Sequence, residues 1–280
     1  MESNKNHFCI SIDGSIFSEM GFDLVVNDLY KPGDKISLIH ICNKSKLSQI
    51  PYQFLPEVIS ETYETKLLGK FKKDVYTVII EERKQNEHAL EQVFEKCSSK
   101  ACNVLVVGHS GHKTLKQVKT DLSKGLDMII RKAKIPTIIM RESINRKKKP
   151  ILTWLICLTL TNSNSFKGFE FATEFIHKND KVIGYHVRSE KNANEEECLT
   201  VEFNKLCDSK GIVDRSVIFK DKVDKRETIA KSIINFVNFT ETYVDFLVLG
   251  LNSQKYDSYQ DIPAYEVIKM AETNFLFYTS

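Results

Sequence analysis

The sequence contains no apolar run approaching the roughly 20 residues that span a bilayer. Its first residues, Met1 to Asn6, are polar and lead straight into a β-rich run, without the charged and apolar segment of an export signal. Neither sign of charge dominates. There are 40 basic and 37 acidic side chains, a formal net charge of +3, so the balance points to neither nucleic acid, a membrane surface nor an acidic substrate. Paired cysteines are missing as well. Cys9, Cys42, Cys97, Cys102, Cys157, Cys198 and Cys207 are odd in number, scattered and mostly inside apolar runs, which argues against a disulfide framework and reads as reduced core thiols. Cys97 and Cys102 have no second pair to complete a zinc site. These absences leave a globular protein, expected in the cytoplasm, with neither nucleic acid nor membrane as a partner.

What is present is one unit written twice. Ser11-Ile12-Asp13-Gly14-Ser15 and the later Gly33-Asp34-Lys35-Ile36-Ser37-Leu38-Ile39-His40 are answered by Leu158-Thr159-Leu160-Thr161-Asn162-Ser163 and Asn179-Asp180-Lys181-Val182-Ile183-Gly184-Tyr185-His186. Asn103-Val104-Leu105-Val106-Val107-Gly108 is answered by Asp245-Phe246-Leu247-Val248-Leu249-Gly250. An ordered set of matches at a nearly constant offset, roughly half the chain, indicates tandem domains rather than a solenoid, whose periods are far shorter. The 280 residues divide into halves that can each bury a core.

Each half alternates short β-rich runs with segments of helical period, the pattern of parallel strands joined by crossover helices. Strands are expected near residues 7–12, 35–42, 74–81, 103–108 and 135–140. In the third helix, Ala89, Leu90, Val93, Phe94 and Cys97 form the apolar face and Glu87, Glu91, Gln92 and Glu95 the polar one. The corresponding helix of the second half carries Ile229, Ile233, Phe236 and Val237. The fold class is therefore α/β, two tandem doubly wound five-stranded parallel-sheet domains, 1–145 and 146–280. Their boundary is Arg146-Lys147-Lys148-Lys149-Pro150, read as an extended, solvated basic linker; no aromatic residues are interleaved with it to suggest a nucleic-acid patch.

In an open doubly wound sheet, ligands settle beyond the carboxyl ends of the strands where the strand order reverses. The loops after the first and fourth strands are Asp13-Gly14-Ser15 and Gly108-His109-Ser110-Gly111-His112-Lys113. A glycine directly after a buried strand admits backbone close to a ligand, and a helix start offers amides to an anion. Asp13 can accept from ribose hydroxyls or help hold a magnesium ion. His109 and His112 read as polar loop residues rather than metal ligands, and Ser15 as a helix N-cap rather than a nucleophile. His40 and His186 close equivalent strands, which favours packing or backbone bonding. No set of residues forms a triad, an acid/base pair or a metal centre.

The Asp-Gly-Ser opening, the strand ending Leu38-Ile39-His40-Ile41, the Val106-Val107-Gly108-His109-Ser110-Gly111 loop and the closing Ile135-Pro136-Thr137-Ile138-Ile139 strand resemble a universal stress protein domain. The likeness is closer in the first half than in the second. It implies strand order 3-2-1-4-5, as in adenine-nucleotide hydrolases, and ATP or a related adenine nucleotide, with or without magnesium, as cofactor. On that likeness Ile12 and Asp13 line the adenosine, the backbone of Ile41 holds the adenine edge, and Val107, Gly108, His109 and Gly111 approach ribose and phosphates. Nine residues beyond Gly111, the family's Gly-Ser or Gly-Thr is replaced by Asp121-Leu122, with Ser123 one position late. A carboxylate there repels polyphosphate. In the second half Thr161 or Thr159 stands in the place of Asp, and Gly250-Leu251-Asn252-Ser253 lacks the second glycine, so this copy reads as degenerate. The implied function is a non-catalytic, nucleotide-responsive stress or signalling module. The alternative is a nucleotide-independent interaction or assembly module of the same fold that binds a protein partner. In either case the halves are expected to form an intramolecular pseudo-dimer or the chain a homodimer. An ATP-pyrophosphatase would need a Ser-Gly-Gly-x-Asp-Ser loop after the first strand, and none occurs.

Overall fold

The computed structural model describes residues 5–110, 124–188, 192–221, 228–251 and 263–279. The chain divides into two compact units, Met1–Ser143 and Ile144–Ser280. In the first, β1 (His7–Ser11), β2 (Lys35–Cys42), β3 (Tyr76–Glu82), β4 (Val104–Gly108) and β5 (Thr137–Met140) alternate with α1 (Ile16–Leu24), α2 (Pro56–Leu68), α3 (Ala89–Ser99) and α4 (Lys124–Lys132). Every strand pair is parallel and the order is β3-β2-β1-β4-β5. In the second, β6 (Thr153–Cys157), β7 (Lys181–Arg188), β8 (Arg215–Asp221), β9 (Phe246–Leu251) and β10 (Asn274–Thr279) alternate with α5 (Asn164–Ala172), α6 (Ala193–Ser209), α7 (Ile229–Phe239) and α8 (Pro263–Met270). Here the order is β8-β7-β6-β9-β10, again all parallel. Strand order thus reverses between β1 and β4 and between β6 and β9, which is where each unit opens a crevice.

The cores follow from the apolar strands, which are covered on both faces. Val104, Leu105 and Val106 in β4 and Phe246, Leu247 and Val248 in β9 are buried. In the first unit Phe22 of α1 meets Tyr63 of α2 edge-on at 4.9 Å. In the second, Trp154 stacks on Phe246 at 4.4 Å and Phe169 on Phe203 at 5.2 Å.

The structure corrects three sequence expectations. Gln92 does not lie on the polar face of α3: it is buried, its Oε1 accepting the Lys84 N–H at 2.9 Å and its Nε2 donating to the Glu82 carbonyl at 3.1 Å. A side-chain amide can satisfy the backbone at a strand end, and helical periodicity does not register that. In α7 Ile229, 42% exposed, lines the crevice with Ile233 but is not part of the buried core, which takes in Ala230, Ser232 and Ile234 beside Ile233 and Val237. The basic segment 146–150 is not a solvated linker but the anchor of the second unit. Arg146 forms a bidentate pair with the fully buried Asp180, with both nitrogens at 2.8 Å. Lys149 bonds both carboxylate oxygens of Asp245 at 2.7 Å and lies 4.2 Å from the centre of the Tyr243 ring. Lys147 and Lys148 are exposed and make no such pair among the described residues.

Asp180 is a hub. It also accepts from the N–H groups of Leu152 (3.0 Å) and His177 (2.9 Å) and from Trp154 Nε1 (3.1 Å). Burial alone would raise its pKa, but Arg146 and the two backbone donors outweigh burial and hold the carboxyl below the usual range. Asp34 repeats the backbone part of this scheme in the first unit, accepting from Asn6 N–H and Lys31 N–H, each at 2.8 Å.

Candidate functional site

Ile12 N–H donates to the Ile39 carbonyl at 2.9 Å, the last ladder bond between the β1 segment and β2. Because backbone groups in a parallel strand point alternately to the two sides, His40 and Cys42 turn toward β3. Cys42 indeed accepts from Arg83 N–H at 2.7 Å. Ile41 therefore turns its N–H and C=O back toward the β1 side, past the point where β1 has ended. The His40 ring closes this corner, with Nδ1 2.8 Å from the Ile12 carbonyl. His186 does the same in the second unit, 2.9 Å from the Leu158 carbonyl. The paired histidines are thus backbone clasps.

Beyond these strand ends lies a cavity of about 300 Å³, at the lower end of the range for small-molecule sites. Six of the eight residues singled out from the sequence line it: Ile12, Asp13, Ile41, Val107, Gly108 and His109. Gly111 and Ser123 lie outside the described residues, as do His112, Asp121 and Leu122. Asp13 is half-buried, its Oδ1 accepting the Ser15 N–H at 3.0 Å. Gly14 takes the left-handed conformation at φ +75°, and a Cβ there would meet the Phe54 ring at 2.8 Å. Ser15 caps α1, accepting the Ser18 N–H at 3.2 Å. His109 continues the sheet, its N–H donating to the Met140 carbonyl at 2.8 Å, with its ring edge-on to Phe17 at 6.4 Å.

Gly108 has a role that the sequence reading did not assign. A Cβ on it would sit 2.7 Å from Phe17 Cβ and 3.0 Å from the Ser18 nitrogen. Its missing side chain makes room for α1. Gly250 is tighter still, with a Cβ falling 2.3 Å from the Asn164 carbonyl carbon and the Ser165 nitrogen of α5. Glycine at this strand end is a helix–strand packing requirement in both units, whether or not a ligand approaches.

Sequence reasoning missed the two elements opposite the β-loops. His88, Ala89 and Leu90 at the start of α3 line the cavity, as do Lys124, Gly125, Leu126 and Ile129 of α4. His88 caps α3 by accepting the Leu90 N–H through Nδ1 at 3.3 Å, while Glu91 bonds back to the His88 N–H at 2.9 Å. That acceptor role requires an unprotonated Nδ1. Burial, reinforced by Arg83 and Lys124 against the opposing pull of Glu91, holds the His88 pKa below its ordinary value. The signal was available as His88-x-x-Glu91 before an apolar run, but histidine is an uncommon cap. Among the described lining residues Asp13 is the only carboxylate and Lys124 the only lysine or arginine. The starts of α1 and α3 add the partial positive charge of helix N-termini.

The corresponding cavity of the second unit, about 220 Å³, has no lysine, arginine or carboxylate in its described lining. Thr159 replaces Asp13, since Thr159 N–H bonds Ser165 Oγ at 3.1 Å as Asp13 N–H bonds Ser18 Oγ at 3.3 Å. Thr159 and Thr161 hydroxyls bond each other at 2.8 Å. Asn162 Nδ2 donates to the Gly250 carbonyl at 2.9 Å, and Asn164 Nδ2 donates to that of Leu251. Side chains of the α5 start thus fasten the end of β9 in place.

No protein-family model and no curated protein sequence matches the chain. Solved structures do. A universal stress protein from Archaeoglobus fulgidus is similar with TM-score 0.64 and 14% identity, covering 99% of both chains. The chain has the universal stress protein fold. A Pseudomonas aeruginosa structure provisionally assigned to the universal stress proteins aligns with TM-score 0.66 and 11% identity over 99% of this chain and 94% of that one. The cytoplasmic domain of a prokaryotic cation chloride cotransporter aligns with TM-score 0.55 and 13% identity over 98% and 95% of the two chains. Among the described residues no helix is long and apolar enough to cross a membrane.

Proposed function

We propose that the chain is a tandem universal stress protein of the cytoplasm whose first unit binds an adenine nucleotide, and that it acts as a non-catalytic, nucleotide-responsive module. The observation that carries this reading is the corner formed by Ile41 and Asp13. Ile41 turns an unladdered N–H and C=O toward the cavity, the donor and acceptor that an adenine edge requires, and the Asp13 carboxylate lies beside it for ribose hydroxyls. Lys124 and the starts of α1 and α3 supply the positive side for phosphate. The test is twofold: mass spectrometry of the supernatant of denatured protein for carried nucleotide, and titration calorimetry with ATP, ADP, AMP and adenosine. Asp13→Ala should remove the binding. If the wild-type chain neither carries nor binds any of the four, the reading fails.

The second unit favours a different role for itself. The described lining of its crevice carries no lysine, arginine or carboxylate, and Asn162 and Asn164 are bonded to the end of β9, so it serves as a structural or partner-binding copy. Carried to the whole chain, this gives the rival reading, a nucleotide-independent interaction module.

A further inference from the structure

Three of the scattered cysteines meet in space. Cys9 lies in the middle of β1, paired with Leu105 of β4 and Ser37 of β2. Cys97 ends the buried face of α3, and Cys102 stands two residues before β4. The turn between Cys97 and Cys102 is a Schellman motif: Cys102 N–H donates to the Cys97 carbonyl at 2.8 Å, Ala101 N–H to that of Ser98 at 3.0 Å, and Ala101 sits at φ +52°. That motif sets the side chains at its two ends, here Cys97 and Cys102, against each other. All three thiols are free and buried. Cys9 and Cys97 are 0% and 2% exposed and Cys102 7%, which makes Cys102 the least buried of the three.

We propose that Cys97 and Cys102 form a peroxide-reactive dithiol, with Cys102 the attacking thiol and Cys97 the resolving one. Cys102 is the member best suited to attack. Hydrogen bonds from Cys9 and then Cys97, with His7 beside it, favour its thiolate against burial, whereas burial holds Cys9 in the thiol form and hydrogen bonding to Cys102 does so for Cys97. The Cys102 thiolate attacks one oxygen of a hydroperoxide and the O–O bond breaks. The leaving hydroxide or alkoxide takes up a proton, and Cys102 becomes a sulfenic acid. Cys97 sulfur then attacks Cys102 sulfur; the S–O bond breaks, hydroxide leaves with the Cys97 proton as water, and the S–S bond forms. Two thiols are oxidised by two electrons and one peroxide is reduced. Because the turn already sets Cys97 and Cys102 against each other, the disulfide fastens the end of α3 to the strand that leads to Gly108.

The test uses the full chain treated with limiting hydrogen peroxide, followed by alkylation and tryptic mapping without reductant. Trypsin cuts after Lys96, Lys100 and Lys113, so the bond appears as the peptide 97–100 joined to 101–113. The expected result is this linked pair, formed before the exposed Cys198 is oxidised. In Cys97→Ala, Cys102 should instead accumulate as a sulfenic acid that a dimedone probe traps. Oxidation of Cys198 with Cys97 and Cys102 still free overturns the proposal, and so does linkage of either to Cys9. The wild-type map decides even if the variant fails to fold.

Discussion

The two units fasten their strand beginnings alike and finish their strand ends differently. Below the sheets, Asp34 and Asp180 each accept from two backbone donors at equivalent positions, and Asn103 Oδ1 bonds the His7 N–H at 2.7 Å as Asp245 Oδ2 bonds that of Thr153 at 2.8 Å. The second unit makes these staples ionic by adding Arg146 and Lys149. Above the sheets, both keep the histidine clasp and the glycine under the first helix. There the likeness ends: one crevice holds Asp13, His88 and Lys124, and the other holds threonines and asparagines bonded to their own loop. Features common to both belong to the fold, so function belongs to the residues that differ.

Removing Arg146 should strike one unit only, and hardest. Arg146→Ala leaves the Asp180 charge buried without its cation, at a cost of about 3–5 kcal/mol, read as an early urea transition of the second unit while the first is unchanged. The sign of its pH dependence follows from the depressed pKa of Asp180. The stabilisation is complete above the ordinary aspartate range, about 3.9, and is lost as pH falls through the lower folded value. Without Arg146 burial prevails, and acid unfolding of that unit should begin at higher pH. Next come the glycines. Gly250→Ala should cost about 3 kcal/mol and Gly108→Ala about 1–2 kcal/mol, in the order of their contacts at 2.3 and 2.7 Å; the reverse order in thermal unfolding would break the packing account. Smallest is His88→Ala, about 1 kcal/mol from the lost cap. Because its folded pKa is depressed, the His88 contribution is present above the ordinary histidine value and fades as pH falls below it, which the variant should abolish.

The sequence made the strands and their order of succession legible because period and apolar content are local properties. Ser15 as a cap and the twin histidines were legible for the same reason, since repetition at one offset marks equivalent positions. What escaped depends on partners distant in sequence. Arg146 reads as linker until Asp180 is brought beneath it, Gln92 as surface until the end of β3 needs a bond, and Cys9 as an isolated core thiol until β1 lies against Cys97 and Cys102. Gly108 shows the converse: its place in a loop motif was visible, but only the packing of α1 revealed what the absent Cβ makes room for. His88 and Lys124 were missed because helix starts facing a crevice have no signature of their own.

Asymmetry is the central claim, and nucleotide stoichiometry tests it most directly. Titration calorimetry of the full chain with ATP, repeated on Asp13→Ala and Thr159→Ala, should give one nucleotide per chain for the wild type, no binding for Asp13→Ala and unchanged binding for Thr159→Ala. Two nucleotides per chain, or equal losses in the two variants, would contradict the account.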